Sequence, residues 1–179
     1  MLKNLRYRAI SGIISAILLV PTFILGYMYG AKSLSSALIP LYYLLLSISS
    51  LSYIYFQWGF KIIGDKTKNK LLKISTILTI IVSVLSYLLS FLQTMFTNLV
   101  GIIIGVAVIV ICGAVTIPFG IGLLRLKDKF GNVAKAAGVL NIISGACLIT
   151  VVGIFIAILI LIPLIVFEII VMFKASKKL

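Results

Sequence analysis

Glu168 is the residue whose type and place most invite chemistry. It is the single charged residue in the 38 residues from Ala136 to Phe173. A carboxyl inside so apolar a run is costly to keep, and an acid in a membrane span is by default a functional candidate. Two roles suit it. Six residues before Lys174, its carboxylate can reach headgroups or pair with Arg125, Arg6 or Arg8. Alternatively it couples a proton or a cation to movement across the membrane. Asn141 is the second candidate for an intramembrane functional group. The other polar residues in apolar surroundings are Gln93, Thr116 and the row Ser47, Ser49, Ser50 and Ser52. Interhelical hydrogen bonds from such groups contribute about 0.6 kcal/mol each, which suits packing.

The rest of the catalytic inventory is thin. The chain has no histidine, so the usual general base and the commonest metal ligand are missing. Cys112 and Cys147 have no cysteine or acid at metal-ligand spacing, and their depths in the expected spans differ, so they read as packing residues rather than a disulfide. Asp65 and Asp128 are each followed by a lysine, which favours solvated charge balance over a working carboxylate pair. No cofactor or metal site is expected, and an enzyme is the weakest of the functional readings.

The elements that hold these residues follow from composition. Of 179 residues, 63% are hydrophobic and 11% charged, against about 45–50% and about 25% in soluble domains. That excludes a soluble enzyme, a disordered chain and a disulfide-stapled secreted domain. A span needs about 20 residues, and the apolar runs predict six, at about 9–29, 36–58, 74–93, 99–124, 133–150 and 154–173. The first follows Lys3, Arg6 and Arg8 and is longer than the apolar part of a signal peptide, so it reads as a span. Span two is entered at Pro40, in a first turn where proline is tolerated. The region from Ala136 to Phe173 would be about 57 Å as one helix, against a hydrocarbon core of about 30 Å. It is read as a hairpin turning near Val151-Val152-Gly153, with Pro163 expected to kink its second arm.

Charge orients the bundle. Lysine and arginine near span ends collect on the cytoplasmic side. Six spans put 15 of the 16 basic residues there, leaving only Lys32 outside. The expectation is therefore an all-α, polytopic transmembrane helical bundle of the cell membrane, six spans, both termini cytoplasmic and no separate soluble domain. Tyr27, Tyr29, Tyr42 and Tyr43 fall at the outer interface, and Tyr7, Tyr55 and Trp58 at the inner one, where amphipathic rings are favoured. The basic loops, Lys66, Lys68, Lys70 and Lys73 in particular, should attract anionic headgroups at about 1 kcal/mol each. The charge is dispersed over membrane flanks, which excludes a nucleic-acid module.

Two internal patterns stand out. At a spacing of 63, Phe56 matches Phe119, Gly59 matches Gly122, Asp65-Lys66 matches Asp128-Lys129 and Asn69 matches Asn132. This is either a duplicated helical hairpin or two independent basic inner loops. Small residues also recur at helical spacing: Gly101, Gly105 and Gly113 in span four, Gly138, Asn141 and Gly145 in span five, and Gly26 and Gly30 at the end of span one. Such seams let helices approach closely, within the bundle or across a homo-oligomer face.

The stretch from Phe130 to Phe173 resembles a family of small, uncharacterised archaeal integral-membrane proteins. The likeness rests on Phe130, Ala134, Ala137-Gly138-Val139-Leu140, Ile142-Ile143, Gly145-Ala146, Leu148-Ile149, Val152-Gly153 and Phe167. It implies a helix, a short turn at the glycine and a second helix, and it implies no activity. The functional expectation is a membrane component without a catalytic site, structural, accessory or involved in assembly, with a larger membrane protein as possible partner. The alternative is a small transporter or channel built from related hairpins. A transporter should hold a mid-membrane cavity lined by Asn141, Thr116 or the span-two serines.

Overall fold

A computed structural model describes residues 2–92, 98–150 and 153–179. The described residues form α1 (Leu2–Gly30), α2 (Ile39–Thr67), α3 (Lys70–Leu92), α4 (Asn98–Leu124), the single turn α5 (Lys127–Phe130), α6 (Asn132–Ile149) and α7 (Ile154–Lys178). A short 3-10 turn, Ser36–Leu38, leads into α2. Six of the helices are long and apolar enough to cross a membrane. Chains this apolar can satisfy backbone N–H and C=O groups only within such helices or closed barrels.

Each long helix packs on its neighbour in sequence, and α1 packs on α7, so the six close into a ring of alternating direction. Both termini, the α2–α3 turn and α5 share one end, which carries most of the positive charge and is called the basic end below. Lys66 Nζ donates to the Leu179 carbonyl at 3.2 Å and Lys178 Nζ to the Lys129 carbonyl at 3.0 Å, tying the C-terminus to both turns.

The helices overrun the apolar spans at this end. α2 continues nine residues beyond Trp58, through a stretch that reads in sequence as a polar loop. It stops at Lys68, whose φ of 56° is left-handed. Asn69 N–H then donates to the Gly64 carbonyl and Lys68 N–H to that of Asp65, the paired bonds of a Schellman ending. Asn69 uses both ends of its amide. Its Oδ1 accepts from Leu72 N–H at 3.1 Å, capping α3, and its Nδ2 donates to the Gly122 carbonyl of α4 at 2.8 Å. At the other hairpin the turn glycine, Gly153, is set by close approach: a Cβ there would stand 2.7 Å from the Cys147 backbone. α7 runs through Pro163 as one helix.

The buried core is concentrated toward the basic end. Phe60 stands between Phe56 and Phe119, edge to face with each at 5.3 Å. Leu5, Ala9, Ile63, Leu72, Leu123, Phe130, Val171 and Met172 close round them. Edge-to-face rings lock the centre through the ring quadrupoles as well as through area. Burial recurs at the spacing of 63: Phe56, Gly59, Phe60 and Ile63 on α2 are all buried, as are Phe119, Gly122, Leu123 and Leu126 on α4. The likeness ends at the turns, for Asn69 is a buried clamp and Asn132 an exposed first residue of α6.

The α4–α6 seam is glycine against glycine. A Cβ at Gly113 would lie 2.7 Å from the Gly145 carbonyl oxygen, and one at Gly120 the same distance from that of Gly138. The reverse approaches, Gly138 to Gly120 and Gly145 to Gly113, are 2.7 and 2.8 Å. Both pairs are seven residues apart on each strand of the antiparallel contact, the repeat that keeps a seam facing its partner. Gly113, Gly138 and Gly145 thus meet across the α4–α6 contact within the bundle. Gly101 is buried. Among the described residues a Cβ at Gly105 would meet nothing within 4 Å, and neither would one at Gly30. Gly120, seven residues from Gly113, is the true second member of the α4 seam.

Candidate functional site

Glu168 and Asn141, the two intramembrane candidates, are joined in the structure. Asn141 Nδ2 donates to Glu168 Oε1 at 2.8 Å and also to the Ala137 carbonyl at 2.9 Å, one turn back on its own helix. Glu168 is 2% exposed and Asn141 3%. The α4–α6 glycines position the amide: Gly120 passes so close to Asn141 that a Cβ there would lie 2.9 Å from the Asn141 Cβ. The expected pairing of Glu168 with Arg125, Arg6 or Arg8 is not formed. Arg6 and Arg125 are exposed, and the Arg8 guanidinium lies 4.9 Å over the Tyr55 ring. Arg8 reaches α2 beside Gly59, where Met172 also packs, and its Nε and Nη1 are buried without a hydrogen-bond partner among the described residues. Among the described residues the one ion pair is Lys73–Asp65, at 2.6 Å.

α2 supplies the other wall. Gln57 Nε2 donates to the Tyr53 hydroxyl at 3.0 Å. Gln57 is 1% exposed, and its Oε1 has no hydrogen-bond partner among the described residues. A buried acceptor left unpaired costs about 1–3 kcal/mol, so the position calls for an explanation. Sequence reading missed Tyr53 and Gln57. The glutamine stands at the end of a span beside Trp58, where a polar residue looks interfacial.

The remaining candidates separate. Thr116 donates to the Cys112 carbonyl of its own helix at 2.7 Å. Ser47 bridges α2 to Tyr87 of α3 at 2.7 Å. Gln93 lies outside the described residues. Cys112 and Cys147 are free thiols, and no group of three or more His, Cys, Asp and Glu suited to a metal occurs among the described residues. Of the loop lysines, Lys66 is engaged by the C-terminal carbonyl and Lys73 by Asp65, whereas Lys68 and Lys70 are exposed. Asp65 and Lys73 are themselves more than 40% exposed, so their pair is worth less than about 1 kcal/mol.

The aromatic residues mark both ends. Tyr29 stacks on Tyr42 at 5.5 Å and meets Tyr43 edge on at 6.0 Å at the end far from the termini. Lys61 Nζ stands 4.4 Å over the Trp58 ring at the basic end. Between α1 and α2, Leu19, Thr22, Gly26, Tyr42, Leu46 and Ser49 line a groove of about 450 Å³. A second, apolar groove lies between α1 and α7. Neither is lined by Asn141 or Thr116; Ser49 is the one expected serine that a groove reaches.

Comparison with known protein families, with curated proteins and with solved structures finds no match. Nothing in those comparisons bears on the archaeal membrane family that the C-terminal stretch resembles.

Proposed function

We propose that the chain is a multi-pass protein of the cell membrane with both termini cytoplasmic, and that it works as a small ion-coupled transporter centred on Glu168. The observation that carries this reading is the Glu168–Asn141 bond at 2.8 Å. A carboxyl kept at mid-depth, held by an amide instead of an arginine, serves packing poorly: a well-packed apolar pair would do as well or better. It serves reversible charge binding well, because among the described residues no ion pair holds it. The rings of Phe56, Phe60 and Phe119 fill the core beside it. Toward the end far from the termini, α1, α2, α3 and α7 bury few side chains, which favours access from the outer side. The side-chain basis for topology is the positive charge gathered at one end, with tyrosines at the other.

The test is flux in proteoliposomes made with the purified chain, following protons and alkali cations with ion-sensitive dyes. Flux that Glu168→Gln abolishes while the protein stays folded and monodisperse supports the reading; no flux, or flux indifferent to that change, refutes it. Labelling of single cysteines placed at Lys68 and Lys32 from either side of the membrane tests the orientation.

The second reading is an accessory or assembly component. It is favoured by the lack of Asn141 and Thr116 from either groove, and by large apolar side chains turned outward on α7, with Phe155 80% and Leu159 76% exposed. Stoichiometric recovery with a larger membrane protein in mild detergent would support it, against a lone, well-behaved chain for a transporter.

A further inference from the structure

We infer that Arg8 of α1 anchors a binding site for the phosphate of one anionic phospholipid headgroup, on the α1–α2 face of the basic end. The inference uses the membrane reading but not transport. Three observations lead to it. First, the fold holds the Arg8 side chain in place. Its stem lies in a notch at Gly59, where a Cβ on α2 would stand 3.4 Å from Arg8 Cδ. Its guanidinium lies 4.9 Å over the ring of Tyr55, one turn from Gly59 on the same face of α2. Second, that guanidinium is unanswered. Nε and Nη1 are buried without a hydrogen-bond partner among the described residues, and the one ion pair there is Lys73–Asp65. The chain's three acids are all described, and none pairs with Arg8. Third, a second cation stands on the next ring. Trp58 follows Tyr55 by three residues, which makes the two rings neighbours on the helix surface, and Lys61 Nζ lies 4.4 Å over Trp58. Both rings are more than 40% exposed, so this rim opens outward.

A guanidinium presents its N–H groups in a planar fork that matches two phosphate oxygens, and such charge-assisted bonds are about twice as strong as neutral ones. Nη2, which belongs to both forks, is the one nitrogen not buried and unpaired, so it is the point of entry. A small roll over the Tyr55 ring then brings Nε or Nη1 to the second oxygen. A buried donor left unpaired costs about 1–3 kcal/mol, so an acceptor at the fork relieves that cost and adds attraction. With three acids against 16 bases, the counter-charge has to come from outside the chain. Depth makes it a lipid: Arg8 directly precedes the first apolar span, and tyrosine and tryptophan favour headgroup level. The rings select the headgroup. A bare aromatic face attracts the quaternary ammonium of choline, but each of these rings already carries a cation. A choline headgroup therefore meets repulsion where a purely anionic one does not. Met172 shares the Gly59 notch, with Glu168 one turn before it on α7, but that carboxylate is held by Asn141.

The experiment is thermal unfolding of the purified, delipidated full chain in a neutral mild detergent at fixed pH and ionic strength. Phosphatidylglycerol, phosphatidylcholine or inorganic phosphate is added stepwise. A ligand bound only by the folded state raises the midpoint with its concentration. The expected result is a saturable rise with phosphatidylglycerol and little or none with the other two. Arg8→Gln should weaken the apparent affinity about tenfold or more, and Lys61→Gln severalfold. Arg8→Lys keeps the charge but not the fork and should also weaken it severalfold; with Lys61→Gln it decides the matter if Arg8→Gln does not fold. Lys127→Gln, Lys135→Gln removes two exposed charges elsewhere at the basic end and should change it less than about twofold. A merely structural arginine would give a lower midpoint in detergent alone and an unchanged lipid response. Equal responses of the wild-type chain to the two lipids overturn the site. So does a rise that survives Arg8→Gln, or one lost equally in the Lys127, Lys135 variant, which marks diffuse attraction. An equal rise with inorganic phosphate overturns the lipid as occupant. Glu168→Gln should leave the response unchanged; a change as large as that of Arg8→Gln ties the arginine to the acid and overturns the site. Flux in liposomes without a lipid response overturns this site and leaves the transporter reading standing. A lipid response without flux does the reverse.

Discussion

Replacing Gly138 by alanine should destabilise the bundle, while the same change at Gly105 should not. At Gly138 the new Cβ would stand 2.7 Å from the Gly120 carbonyl oxygen, 2.7 Å from Leu124 Cγ and 2.9 Å from the Leu124 nitrogen. Two of these three atoms are backbone and cannot rotate away, so α4 and α6 must part. Restoring ordinary contact takes roughly 0.7 Å, and a gap of that order forfeits about a quarter to a half of each dispersion well along the seam. Overpacking of this kind costs about 1–3 kcal/mol. Alanine also gains about 1 kcal/mol over glycine in a helix, but that gain applies at both positions and cancels in their difference. At Gly105 the Cβ meets nothing within 4 Å among the described residues, so only the gain remains. The difference between the two variants is therefore the packing cost itself, about 1–3 kcal/mol, which at about 2–4 °C per kcal/mol for a chain of this size is readily measured. The assay is the midpoint of heat-induced loss of the monodisperse peak in mild detergent. The double change Gly120→Ala, Gly138→Ala should cost less than the two singles added, because once the helices have parted both methyl groups fit. Equal midpoints for Gly138→Ala and Gly105→Ala, or strict additivity in the double variant, would refute the glycine seam.

Asn69→Ala removes the cap of α3 and the bond to the Gly122 carbonyl together, and should lower stability by about 2 kcal/mol, within the range for a lost cap and a lost buried hydrogen bond. Asn69→Asp should recover part of it, since Oδ1 still accepts from Leu72 while the donor to Gly122 is gone; thermal midpoints of the two variants check the order. Lys68→Gly should raise the midpoint, by up to about 1 kcal/mol, because the left-handed backbone at Lys68 costs an L-residue about 1–2 kcal/mol and glycine almost nothing beyond its own chain entropy. Lys68 and Lys70 carry the anionic-lipid preference left to this loop, so Lys68→Gln, Lys70→Gln should reduce recovery with anionic over neutral vesicles, whereas Lys73→Gln should change it less; equal recovery of the wild-type chain with both vesicle types would remove the lipid contact.

Much of the architecture was legible because it is written locally. Long apolar runs separated by charge can do little but form helices, and the lysines and arginines mark which ends go together. The hairpin at Gly153 was legible by length, since no single helix of that extent fits a bilayer. The sequence also singled out Glu168 and Asn141, because an acid and an amide in apolar company are conspicuous wherever they fall. It misjudged the helix ends near the charged loops, where α2 runs on to Thr67 under tertiary contacts that hydropathy does not register.

What the chain could not declare was which faces meet. These helices are apolar on nearly every side, so periodicity gives no direction, and Gly105 looks as good a seam residue as Gly120. Register between α4 and α6 decides the matter, setting Gly113 against Gly145 and Gly120 against Gly138 and leaving Gly105 in open space. The same register carries Asn141, which bonds Glu168 across the α6–α7 contact. Sequence by itself determined that there are six apolar helices and one conspicuous acid among them. Only the tertiary structure decided that the acid is answered by an amide, because partners separated by 27 residues along the chain are chosen by packing between helices.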